Sequence, residues 1–351
     1  MHVAAGAAAL VAVSALALPH GASAVAGAEA DCSARSDSRV RAMTDTGIGL
    51  TSSLGLAAGR YALPADPAPT QLVVLFHGHG NDSCGWRKHL QDIAAKGAVA
   101  VAMDYTGQRD TPSENYGWFV REGAADSIAA AQHFIAAYPS ITKVIAVGIS
   151  MGGNSSGLAV ASPDAVRADG TPLFDYWVDI EGVNNLIEEY LIARGVAPVN
   201  AGGAVAQAEI EEENGGSLET APAAYAEITN VRRAADMKGL KGVVLVHGVD
   251  DGLVPTNQSR EMNEALTAVG VPTHQYTVVL RGGAEAGTTL TAIPGGPLFS
   301  AAGQPPYVSP FAGHGWEGSE THMVIKTGFA QLYSLMEGTA FTPGETVVPG
   351  T

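Results

Sequence analysis

Basic residues are scarce in this chain. Lysine and arginine number 19 against 35 aspartates and glutamates, leaving a formal net charge of −16. Such a surface repels polyanions, which excludes nucleic acid and anionic membrane surfaces as partners and disfavours strongly anionic substrates. Long apolar runs are lacking too. No stretch reaches about 18 consecutive apolar residues, so no transmembrane helix is expected. Cysteine is limited to Cys32 and Cys84, enough for one disulfide and no more. No internal repeat occurs. What is present is 46% apolar and only 15% charged residue content over 351 positions. That composition suits a compact protein with a sizeable core, built as one large α/β domain or two small ones.

The first thirty residues stand apart. Residues 10–18, LVAVSALAL, form an apolar core too short to span a bilayer. Ala22-Ser23-Ala24 and Ala28-Glu29-Ala30 both fit a small-residue cleavage site. Residues 1–30 therefore read as a secretory signal peptide cut near Ala24 or Ala30. The usual positive charge ahead of the apolar core is replaced by His2 alone. A lipid anchor is disfavoured because Asp31 precedes Cys32 where a small residue is required. In an oxidising compartment Cys32 and Cys84 are candidates for a disulfide tying the N-terminal arm to the first core loop.

Beyond the arm, apolar runs recur at 72–76, 98–103, 144–147 and 243–246, with weaker ones at 176–180 and 275–280. Strands apolar on both faces belong in a parallel sheet covered by helices on each side. Helical patterns at 86–96, 124–138, 258–269 and 321–336 alternate with them. The expected fold is a doubly wound, mostly parallel α/β domain over residues 31–340. Residues 60–64 are expected as a short edge strand. Residues 183–235 read as an inserted helical cap, whose Glu209, Glu211, Glu212 and Glu213 form a solvated charged face. Residues 281–313 are rich in glycine, alanine and proline without a period, and 341–351 are expected as a loose tail.

Residues 143–157, KVIAVGISMGGNSSG, contain two matches to G-x-S-x-G, centred on Ser150 and Ser155. Ser150 follows a β-branched run and precedes a helix-compatible stretch, the strand-turn-helix context a nucleophilic serine needs. Ser155 falls where that helix already runs, and reads as a small packing residue. A serine hydroxyl also needs a base, and the base an orienting acid. Asp250 and Asp251 follow the strand at 243–246, and spacing alone does not separate them. For the base, His314 sits in a glycine-rich loop before the last helix, whereas His322 falls at that helix's start. His314 is preferred because loops on a rigid scaffold carry chemistry. Two N–H groups must face the developing oxyanion; the candidates are those of Met151 and of His79, in His77-Gly78-His79-Gly80. His77 and His79 lack further ligands at metal spacing, so no metal is expected there. Phe299, Phe311 and Trp316 are candidates for an apolar acyl pocket. Glu188 and Glu189, with Glu181 just before them, are candidates for holding a peptide amine or are solvated helix residues.

Four of these stretches resemble the α/β-hydrolase superfamily. FHGHG is similar to its oxyanion motif, VGISMGG to its nucleophile elbow, HGVDDGLVP to its acid loop HGxxDxxVP, and AGHGW to its histidine loop. The chain order Ser150, Asp251, His314 is the order found in that superfamily, and the acid-loop match selects Asp251 over Asp250. Residues 55–337 take part in the resemblance. The stretch around Ala223, Tyr225, Asn230 and Val231 is similar to the catalytic domain of prolyl-oligopeptidase-like peptidases and related esterases. Those peptidases usually carry an additional N-terminal domain, and no β-propeller is expected within these 351 residues. The resemblance implies a secreted serine hydrolase acting on a small or polymeric ester, by an acyl transfer that needs no cofactor. A peptidase acting on short peptides and a non-catalytic binding scaffold are the alternatives.

Overall fold

A computed structural model describes residues 40–44, 50–108, 117–249, 251–279, 314–318 and 322–349. All of them fall within one compact unit, Cys32–Thr351. The first segments are β1 (Val40–Thr44), β2 (Leu50–Thr51), β3 (Leu56–Ala57), β4 (Gly59–Pro64) and β5 (Gln71–Phe76). Then come α1 (Arg87–Ala95), β6 (Val99–Met103), α2 (Val120–Ala137), β7 (Lys143–Ile149), α3 (Met151–Ala161) and β8 (Tyr176–Ile180). Helices α4 (Leu186–Val196), α5 (Ala201–Asn214) and α6 (Pro222–Glu227) lead to β9 (Gly242–Gly248) and α7 (Asn257–Ala268). The chain ends with β10 (Thr273–Val279), α8 (Met323–Met336) and β11 (Gly344–Pro349).

Nine strands form one sheet in the order β1-β4-β6-β5-β7-β8-β9-β10-β11, while β2 and β3 pair separately. Within the nine-stranded sheet only the β1–β4 and β4–β6 pairs are antiparallel, as is the separate β2–β3 pair. The rest run parallel. Side chains alternate between the sheet's faces, and both faces are dry. Leu72, Val74, Val144 and Ala146 pack with Val120, Ile128 and Phe134 of α2, Leu158 of α3, and Met262 and Leu266 of α7. Val73, Leu75, Ile145 and Val147 face the other way, onto Leu90 and Ile93 of α1 and Val324, Phe329 and Leu332 of α8.

Two expectations are corrected here. The strand at 60–64 is not an edge: β1, from the N-terminal arm, pairs outside it. Nor is the tail loose over 344–349. It forms β11, a parallel partner to β10, where β-branched Thr346, Val347 and Val348 suit an extended ladder. Phe341 anchors its approach, since a Cβ on Gly242 would lie 2.7 Å from its ring. The signal segment, the stretch 281–313 and Asp250 lie outside the described residues.

The loops that matter share one end of the sheet. Residues 77–80 follow β5, Ser150 follows β7, Glu181 follows β8 and Asp251 follows β9, and these four strands are neighbours. In open parallel sheets the carboxyl ends of the strands are where ligands are met. The connection from β8 to β9 carries α4, α5 and α6, so the insertion begins at that same end.

Candidate active site

Ser150 stands alone between β7 and α3 with φ 55° and ψ −125°. Only one other non-glycine among the described residues has a positive φ, Glu181 at 53°. A left-handed φ costs an ordinary L-residue roughly 1–2 kcal/mol, so neighbours must over-determine it. The Ser150 N–H donates to Ile180 O at 3.1 Å, and its carbonyl accepts from Gly153 at 2.9 Å and Val183 at 3.1 Å. Two glycines make the close approach feasible. A Cβ on Gly148 would lie 2.2 Å from Ser156 Oγ, and one on Gly152 would lie 2.2 Å from Phe76 O. The G-x-S-x-G spacing at Ser150 is thus a steric necessity of this turn. Ser155 sits inside α3, fully buried, and donates to Val120 O at 3.0 Å.

His314 Nδ1 lies 2.7 Å from Asp251 Oδ2. Both residues are buried. Asp251 Oδ1 accepts the N–H groups of Leu253 and Val254, each at 2.9 Å, and Oδ2 lies 3.3 Å from His247 Nε2. His247 is fixed in turn by Ser259 Oγ at 2.8 Å and Val254 O at 2.7 Å. Burial works against ionising Asp251, but the two histidines and their hydrogen bonds outweigh it and hold its carboxyl below the usual range. His322 instead occupies the N-cap position of α8, without a side-chain capping bond. It is buried, and its Nδ1 lies 3.1 Å from where a Cβ on Gly315 would sit.

The loop after β5 is clamped from two sides. The Gly78 N–H donates to Glu317 Oε1, and Asn81 Nδ2 donates to Glu317 Oε2. His79 Nε2 pairs with Glu209 Oε2 of α5. The Gly78 N–H is therefore spent on protein, and His79 is the next donor along. Met151 opens α3 beside it, where first-turn N–H groups have no helical partner. His77 stacks on Tyr105 with ring centres 3.9 Å apart, which is a packing role.

The charged insertion is less solvated than its sequence suggests. Glu209 is buried and also accepts the Gly117 N–H at 2.9 Å. Glu213 pairs with Arg121 of α2 at 3.1 Å. Glu188 accepts from Asn257 at 2.6 Å. Glu189 is buried rather than solvated. Burial first, then the charges of Asp251 and Glu188, push its carboxyl up to about 8.

Phe299, Phe311 and Cys32 lie outside the described residues. Trp316 is 41% exposed. Cys84 is buried in the short turn Ser83–Trp86. A cleft of about 550 Å3 lined by Thr51, Arg121, Gln132, Ser162 and Arg233 takes no residue from the loops carrying Ser150, Asp251 or His314. Glu181, Asp251 and His314 bring ligand-type atoms within 4.8 Å of one another. Both Asp251 oxygens are already engaged by hydrogen bonds, an arrangement that orients an imidazole rather than leaving an open coordination sphere. Sequence reasoning missed Glu317 and the buttress role of His247. Glu317 lies three residues past His314, within the AGHGWEG stretch, but its partner is the loop after β5, more than 200 residues away in the chain.

Residues 73–284 match the model of the alpha/beta hydrolase family. With more than half its length matched, the chain belongs to that family. Among solved structures, the uncomplexed acylaminoacyl peptidase of Pyrococcus horikoshii is similar, with TM-score 0.54 and 15% identity, over 84% of this chain and 41% of that one. A puromycin-hydrolyzing peptidase of Mycobacterium tuberculosis gives 0.52 and 17%, over 89% and 41%. A hyperthermophilic esterase of Pyrobaculum calidifontis gives 0.51 and 18%, over 68% and 76%. At these identities the likeness is one of fold. This chain spans about two-fifths of the length of the two peptidase chains. No curated protein matches it in sequence.

Proposed function

We propose that the protein is a secreted serine hydrolase that cleaves carboxylic esters through an acyl-enzyme. The observation that carries this reading is the 2.7 Å bond between His314 Nδ1 and Asp251 Oδ2, at the sheet end where Ser150 holds its left-handed turn. With Nδ1–H committed to the carboxylate, Nε2 keeps the lone pair. His314 takes the Ser150 proton as the hydroxyl attacks the ester carbonyl. Asp251 holds the ring and stabilises its charged form. The N–H groups of His79 and Met151 receive the oxyanion, and the Met151 donor gains from the α3 dipole. His314 then protonates the leaving alcohol, and water resolves the acyl-enzyme by the reverse path.

A serine peptidase acting on short peptides is the second reading, motivated by the peptidases of like fold. The acids that would grip a peptide amine argue against it. Glu189 is buried, and burial first, then the charges of Asp251 and Glu188, push its carboxyl up to about 8, while Glu188 is engaged by Asn257. Burial that disfavours the carboxylate makes such a side chain a poorer ammonium partner. Secretion rests on residues 1–30 alone, and N-terminal sequencing of exported protein should begin after Ala24 or Ala30.

The test is labelling with a fluorophosphonate followed by peptide mapping. The expected label sits on Ser150 and vanishes in Ser150→Ala, whose kcat on p-nitrophenyl esters falls about 10⁴–10⁶-fold. Absence of any label would favour a non-catalytic binding scaffold. Faster turnover of aminoacyl anilides than of acyl esters would favour the peptidase.

A further inference from the structure

Glu181 has no part in the mechanism above, yet its placement is unusual. It is the first residue after β8, fully buried. Its backbone holds φ 53°, a region where a side chain with Cβ is strained. Its N–H donates to Val246 O at 2.8 Å, tying it to the strand that leads to Asp251. The residues on either side of it, Ile180 and Gly182-Val183, bracket Ser150, which bonds Ile180 O and the Val183 N–H. The carboxylate reaches the histidine loop, where Oε2 accepts the Gly315 N–H at 2.7 Å and stands 3.7 Å from His314 Nδ1. The same ring nitrogen bonds Asp251 at 2.7 Å. Two buried carboxylates from adjacent strands therefore converge on one imidazole edge.

We propose that Glu181 is a second acid of the site, a positioning residue that seats His314 through Gly315 and lends its imidazolium a second negative charge. This rests on the reading of Ser150 and His314 as nucleophile and base. Strain at position 181 fits this role, because the left-handed turn directs a long acidic side chain to Gly315 where glycine would suit the backbone better. The ionisable groups facing His314 Nδ1 are Asp251 and Glu181, with His247 behind Asp251 and Glu189 within reach of Asp251's charge.

The test compares wild type, Glu181→Gln and Glu181→Ala on a p-nitrophenyl ester across pH. Glutamine keeps an oxygen for the Gly315 N–H and removes only the charge. An anion within about 4–6 Å favours a protonated ring, so its loss makes the imidazolium harder to form. In Glu181→Gln the acid limb of kcat/KM is expected to move down by about 1 pH unit. The kcat should fall about 10-fold with KM unchanged, and Glu181→Ala should lose more. A Glu181→Gln variant with wild-type kcat and acid limb, beside an impaired Glu181→Ala, would reduce Glu181 to a loop anchor and overturn the proposal. If Glu181→Gln does not fold, Glu181→Asn tolerates the left-handed backbone. It is judged on the same acid limb, which loop loosening alone leaves in place. A wild type that neither turns over ester nor takes the fluorophosphonate would instead sink the underlying reading.

Discussion

At the scale of single residues, the site is held by contacts too tight for substitution. Gly152 has Phe76 O 2.2 Å from where its Cβ would be, and both groups are backbone, so neither yields easily. Gly152→Ala is expected to cost folding outright or to leave a soluble protein that no longer takes a fluorophosphonate, read by melting and labelling together. Buried acids and bases set the pH response. Burial, partly opposed by the Asn184 bond and His247, pushes Asp179 up to about 7. A raised acid binds its proton more tightly folded than unfolded. Its contribution is therefore full below about pH 4 and lost as pH rises through about 7. Asp179→Asn should raise Tm at pH 8 and leave it nearly unchanged at pH 4. His89 runs the other way. Burial against Phe329, at 3.7 Å between ring centres, and then the Lys88 charge lower it to about 4. Its contribution is present above about 6.5 and lost as pH falls through about 4, which melting curves of His89→Gln should show as a weaker acid limb. The sequence announces residues whose neighbours lie nearby in the chain, such as the glycines around Ser150. Glu181 and Glu317 stayed silent because their partners, Gly315 and Gly78, are joined to them only through the order of strands in the sheet.

Elements were legible where apolar period and length agreed. The buried strands of the sheet centre and the four flanking helices lie within a few residues of their expected places. β1 and β11 were not; β11 is exposed along most of its length on both faces, so it carries little apolar signal. Removing residues 341–351 should bare the edge of β10, lower Tm and promote aggregation visible by light scattering. The insertion was legible as helical but not in its charge. Arg121 Nη1 reaches both the Glu213 side chain at 3.1 Å and its carbonyl at 2.9 Å, so α5 is fastened to α2 by a largely buried pair. Burial and Glu122 raise the Glu213 carboxyl to about 8 even against Arg121. Arg121→Ala strips the Glu213 carboxyl and carbonyl of these hydrogen bonds, at a cost of roughly 1–3 kcal/mol for buried acceptors left unsatisfied. Limited proteolysis should then cut within 197–221 faster than in wild type.

For the whole molecule, composition settled class and sign of charge, while the placement of nine strands required the structure. The charge of −16 predicts that cationic esters gain in kcat/KM over anionic ones at low salt and that the gap closes as ionic strength rises. A disulfide between the candidate pair Cys32 and Cys84 would make reduction cost about 4 kcal/mol by the chain-entropy account, seen as a lower Tm in reductant. The link from Glu209 to His79 and to the Gly117 N–H sets a limit for engineering. α5 is not a detachable awning over the site, since its carboxylate is one of the stays of the loop proposed to receive the oxyanion. A designer who trims the insertion to admit bulkier esters would slacken that stay, and would have to graft an equivalent acid elsewhere before the wider doorway could show any gain in rate.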